Sequence, residues 1–163
     1  MHTQGHVLEQ ASTAPPPAGI LREGDIACFL QHQPLPALLR RYMKEQKCDQ
    51  ALAEQAFVST KQFLFACATA PHPCSPSLAI DGMWHEFLMF SKEYYDFCML
   101  HFGKMIHHHP TERMMIENYQ ATRKTAERMF GPLDERFWPK MRRSARARAA
   151  LCYGGDCSAG CES

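Results

Sequence analysis

An excess of charge of either sign is missing from this chain: 18 Lys plus Arg stand against 17 Asp plus Glu in 163 residues, a formal net charge of +1. That balance excludes a protein that coats nucleic acid by bulk charge, so nucleic acid is disfavoured as a partner. No window approaches the roughly 18 uninterrupted apolar residues of a membrane helix, so no membrane span is expected. Residues 1–19 contain no Lys or Arg, and no apolar run precedes Pro15-Pro16-Pro17. A secretory leader is therefore not expected, and the cytoplasm is the expected location. After residue 20 glycine is scarce until the last ten residues, and β-branched residues are few. Little is left from which to build sheet, and the apolar positions recur at three and four residue intervals. The expected fold class is all-α, a small helical bundle of about four main helices in one domain.

Eight Cys and nine His are what the chain has in unusual supply. In a reducing compartment such thiols are buried, metal-bound or redox-active more often than paired in structural disulfides. The organisation read from the sequence is a disordered leader over 1–19, a helical domain over 20–139, a basic linker or helix over 140–151, and a Cys- and Gly-rich tail over 152–163. Within the domain the pattern predicts a helix from Pro36 to about Gln46 and a longer one, capped by Asp49, to about Thr69. The prolines at 71, 73 and 76 make a stiff connector. A central helix is expected over Asp81 to Phe102, with Ile80, Trp84, Phe87, Leu88, Tyr95, Cys98 and Phe102 in one apolar arc. Gly103 ends it. Thr111 can cap a further helix whose stripe is Met115, Tyr119, Thr122, Ala126 and Met129, stopped at Gly131-Pro132. A poorer last helix is expected after Asp134, running through Pro139.

Asp81 and His85 lie one helical turn apart on the same edge of the central helix. Two such ligands at i, i+4 present a metal, or pair a base with its orienting carboxylate; the plainer account makes Asp81 an N-cap. His107-His108-His109, before Pro110, offers further imidazoles. A continuous helix from His85 to Phe102 climbs about 26 Å, whereas the residues returning to the triplet extend only about 17 to 20 Å. A site joining Asp81 and His85 to His107 and His108 thus requires the central helix to end or bend early. Cys67, His72 and Cys74 are a second neighbour set for Asp81 and His85, although their spacing matches no zinc signature. The tail thiols Cys152, Cys157 and Cys161 can hold a soft metal or exchange disulfides but lack a fourth ligand. Lys140, Arg142, Arg143, Arg146 and Arg148 read as a solvated basic linker, with few aromatics interleaved for base stacking. The methionines read as adaptable packing.

The run from Asp81 through Trp84, His85, Tyr94, Phe97 and Cys98, followed by Ile106-His107-His108-His109-Pro110, resembles the glycine-rich domain-containing-protein-like family in its D-x-x-W-H and I-H-H-x-P segments. The resemblance covers about thirty residues strongly, and the tail agrees with it in character. It implies a mostly helical domain. Phe87 stands where some members carry a second His.

These readings lead to a helical binding or accessory module that holds a divalent metal, zinc or iron, through Asp81, His85, His107 and His108, with an unknown protein partner. The rivals are a metal-dependent hydrolase or oxidoreductase with His85 on the metal, and a thiol redox or metal-relay protein acting through the tail cysteines.

Overall fold

The computed structural model describes residues 23–109 and 115–141, and these residues form six helices with no strand among them. The leader and the tail, including Cys152, Cys157 and Cys161, lie outside the described residues, as do Pro110 and Thr111. Helix α1 spans Glu23–Gln31 and α2 spans Pro36–Gln46, the latter opening on a proline whose missing N–H costs nothing in the first turn. Lys47, in the left-handed region at φ 49°, ends α2. Helix α3, Gln50–Thr69, begins where the Asp49 carboxylate accepts the Leu52 amide at 2.8 Å, a cap worth about 1 kcal/mol. It is buried around much of its circumference because α1, α2, α4 and α6 all pack on it.

Helix α4 spans Leu78–Leu88, α5 spans Ser91–Phe102 and α6 spans Ile116–Phe130. The N-cap of α4 is Ser77 and not Asp81: its hydroxyl oxygen accepts the Ile80 amide and its proton goes to the Phe137 carbonyl at 2.6 Å. The one long central helix expected from the sequence is thus two. Its backbone ladder stops at Met89-Phe90, where the Phe90 amide bonds only three residues back, to Phe87, and α5 restarts with the Phe90 carbonyl accepting the Tyr94 amide. Ser91 and Glu93 suit a new first turn. The restart changes which residues face inward: Tyr94 becomes fully buried, while Tyr95, expected in the apolar arc, is 51% exposed. The expected last helix is a turn, in which the Phe137 and Trp138 amides bond the Asp134 carbonyl and place both aromatic side chains in the core. No helix of the described residues is long and apolar enough to cross a membrane.

Helix α1, not foreseen in the sequence, ends on a buried cation. Lys61 of α3 donates to the carbonyls of Leu30 at 2.6 Å, His32 at 2.8 Å and Phe29 at 3.5 Å, satisfying acceptors that a helix C-terminus leaves open. Beside it, the His101 and His32 rings meet nitrogen to nitrogen at 3.1 Å. Burial, then the His32 and Lys61 charges, pull His101 down to about 4, and burial with Lys61 also lowers His32. A base with a depressed folded value stabilises the fold above its unfolded value of 6.5, and that contribution is lost as pH falls from 6.5 toward 4, because only the unfolded chain takes up the proton. Allowing for solvent screening of these half-buried rings, the melting temperature should be about 5–10 °C lower at pH 5 than at pH 7.5. His101→Gln should shrink that difference in parallel thermal scans; an unchanged difference would clear the imidazole pair of responsibility.

Candidate metal centre

The break between α4 and α5 assembles the site. Trp84 on α4 donates its indole N–H to the Tyr94 hydroxyl on α5 at 3.0 Å, and that hydroxyl donates in turn to the Ile106 carbonyl at 2.6 Å. In an unbroken helix ten residues would separate the two side chains by about 15 Å along the axis. Burial pushes the Tyr94 phenol far above its ordinary value, so it keeps the proton that it gives to Ile106. Phe87 reinforces the joint with ring contacts to Tyr94 at 5.1 Å and Phe97 at 5.4 Å.

The loop after α5 is held at three points. Gly103, at φ 65°, lets α5 end in the left-handed region, and Lys104 reaches the Ala68 carbonyl at 2.9 Å. Ile106 is buried, with its carbonyl on Tyr94. Two residues further on, His108 Nε2 lies 3.0 Å from Asp81 Oδ1. The His108 ring packs 4.5 Å from Trp84 and 4.4 Å from His85, centroid to centroid. His85 Nδ1 is 2.8 Å from the Asp81 carbonyl and 3.3 Å from Asp81 Oδ2.

Asp81, His85 and His108 therefore converge, each offering a ligand atom within 4.8 Å of the others, and they form the one such group among the described residues. Asp81 and His108 are half-buried and His85 is exposed. His107 and His109 are exposed and stand outside the group. Cys67, His72 and Cys74 do not join it either: the Cys74 thiol donates to the His72 carbonyl at 3.7 Å, and His72 Nε2 faces Thr125 Oγ1 at 3.5 Å. Of the residues expected at the site, the fold thus unites Asp81, His85 and His108. What sequence reasoning missed is the part played by Trp84 and Tyr94. They belonged to the aromatic run of the motif but had no task there, and their spacing on one helix would have kept them apart.

The donor set suits a divalent metal. Ligands at about 2.0–2.1 Å from a tetrahedral zinc are roughly 3.3 Å from one another, close to the 3.0 Å separation of Asp81 Oδ1 from His108 Nε2. If His85 Nδ1–H donates to the Asp81 carbonyl, Nε2 keeps its lone pair, the tautomer that a metal-binding imidazole uses. Two imidazoles and a carboxylate supply three ligands and leave the rest of the coordination sphere to water or a partner group.

A family model described as UCP032817-like matches residues 26–136, more than half of the chain. No curated protein and no solved structure matches it.

Proposed function

As the chain belongs to the UCP032817-like family over residues 26–136, a span that contains Asp81, His85 and His108, we propose that it is a helical binding or accessory module that holds a divalent metal, zinc or iron, with these three residues. The observation that carries this reading is the convergence of two imidazoles on one carboxylate from separate segments, α4 and the loop after α5. His108 has to cross from a different element to meet Asp81, and the Trp84–Tyr94–Ile106 chain of hydrogen bonds spends buried polar groups on bringing it there. The same convergence joins the D-x-x-W-H and I-H-H-x-P segments in space, which supports treating them as one motif, as the resemblance to the glycine-rich domain-containing-protein-like family implies. The exposed His85 gives a partner protein access to the metal.

The open coordination positions favour a second reading, a metal-dependent hydrolase or oxidoreductase in which the metal activates water or dioxygen. Binding is preferred because two cavities among the described residues, of about 220 and 250 Å³, are lined by other residues, the first by His32, Phe97 and Leu100 and the second by Tyr119 and Arg123.

Full-length protein carrying no His tag should retain or take up about one zinc or iron per chain, measured by elemental analysis after dialysis. His108→Ala and His85→Ala should each weaken metal binding by about a hundredfold or more, since even partners behind a ligand are worth ten- to a hundredfold. A chain truncated after Leu151 should bind as the full one does. Failure of the folded wild-type chain to bind either metal would end the metal reading, and loss only on truncation would move it to the tail thiols. Turnover of a model phosphate or carboxylic ester by the metal-loaded protein, absent in His108→Ala, would promote the hydrolase.

A further inference from the structure

Lys140, the first cation of the basic run near the end of the chain, sits beside α6. The Tyr119 hydroxyl donates to the Pro139 carbonyl at 2.8 Å and the Gln120 amide to the Met141 carbonyl at 2.9 Å, which pins residues 139–141 against that helix. Glu135 then joins Lys140, at 2.7 Å, to Arg123 of α6, at 3.3 Å. Between these segments lies an open cavity of about 250 Å³, lined by the cations of Arg123, Lys124 and Lys140 and by one carboxylate, Glu127. Lys124 is exposed and has no ion pair among the described residues. Arg123 is largely buried, with Nη2 on Glu127 at 2.8 Å, yet its Nε is sealed from solvent and bonds nothing among the described residues. A buried donor of a charged group is seldom left idle, because desolvating it without a partner opposes folding.

We propose that this cavity binds a phosphate dianion, as the free ion or as the phosphoryl group of a small monoester. Its lining carries more positive than negative charge even when Glu135 is counted with Glu127, so an anion is the ligand it attracts. A phosphate monoester loses its second proton near pH 6 and offers three acceptor oxygens. Lys124 and Lys140 meet it as point charges, and Arg123 meets it side-on, through Nε and Nη2 together. Glu127 and Glu135 now share Nη2, so the ligand enters by displacing the Glu127 carboxylate, whose side chain is 40% exposed. The exchange gives Nε the acceptor it lacks, which Glu127 in its present place does not provide. The volume falls just under the roughly 300–1,000 Å³ of drug-sized sites, which suits a small ligand. No lining residue belongs to the group of Asp81, His85 and His108, so the site is independent of the metal reading.

The test is an NMR titration of the isotope-labelled full-length chain at low salt and about pH 7.5, where the monoester is mostly the dianion. Glycerol 3-phosphate, inorganic phosphate and glycerol are compared, and the amide signals of residues 120–124 and 140–141 are followed. Glycerol 3-phosphate should shift these signals before any others, with a Kd of about 1 mM or tighter, and glycerol should leave them in place. Tighter binding of the ester than of inorganic phosphate assigns the site to a phosphorylated molecule, and equal or weaker binding assigns it to the free ion. Lys124→Gln, at an exposed position, should weaken binding about fivefold, and Arg123→Lys, which keeps the charge and loses Nε, by a similar factor. Glu127→Gln should strengthen binding about threefold by removing the competing carboxylate, an effect that a merely structural Glu127 would not produce. His108→Ala should bind as the wild type does. An absence of saturation at roughly tenfold higher ligand, or binding lost in His108→Ala but kept in Lys124→Gln, overturns the proposal.

Discussion

Trp84→Ala should lower the unfolding free energy by about 3–5 kcal/mol, the usual cost of truncating a buried large aromatic. Trp84 is only 4% exposed, packs 5.2 Å from Phe63 and 4.5 Å from His108, and supplies the N–H that Tyr94 accepts. Its removal opens a cavity between α3 and α4 and takes away one of the two bonds that hold the Tyr94 hydroxyl between helix and loop. Against a total stability of roughly 5–15 kcal/mol, that is enough to leave a large unfolded fraction at 37 °C. Trp84→Phe keeps a ring at the site but loses the donor and part of the buried ring volume, so its cost should be smaller, about 1–2 kcal/mol. Urea titration followed by circular dichroism at 222 nm gives both numbers. A cost below about 1 kcal/mol for the alanine variant would mean that Trp84 does not organise the joint between α4 and α5.

Lys61→Met should cost about 3 kcal/mol or more, because it strands the Leu30 and His32 carbonyls that the ammonium now holds, each of which bears a desolvation penalty when left unbonded, while the Phe29 carbonyl keeps the His32 amide. Lys61 is 2% exposed, and burial pulls its value down to about 8, so at neutral pH it still carries the charge that those carbonyls need. The methionine retains most of the volume, which separates the polar loss from a packing defect. The damage should concentrate at the end of α1: amide exchange at Phe29–Gln33 should accelerate well beyond that of α3, as in a segment that opens before the rest. Uniform acceleration across all helices would show instead that Lys61 supports the core as a whole.

Where the chain carries its own punctuation, structure was legible from sequence. Pro36 starts α2, Asp49 caps α3 and Gly103 ends α5 as the sequence reading has them, since each acts through backbone chemistry within a turn of itself. Met89-Phe90 has no such mark. Neither residue breaks a helix, and what divides α4 from α5 is the gain from pairing Trp84 with Tyr94 and Phe87 with Phe97, contacts that exist only once the chain has turned. Helix α1 escaped for a similar reason, because its C-terminus is completed by Lys61, some thirty positions away. The site shows the same division. Asp81 with His85 follows from helical spacing, whereas the choice of His108 over His107 and His109 depends on the anchoring of Ile106 by Tyr94.

Ser77 sets an order of events during synthesis. Its hydroxyl caps α4 through the Ile80 amide and delivers its proton to the carbonyl of Phe137, a residue that leaves the ribosome sixty positions later. Until then a buried O–H at the head of α4 has no acceptor in place, and the pocket that Phe137 and Trp138 fill stands open. The helix that carries Asp81 and His85 can form early from local bonds, but its seat in the bundle is completed only by one of the last described turns of the chain. A nascent chain arrested before Phe137 would thus present α4 on an unfinished core.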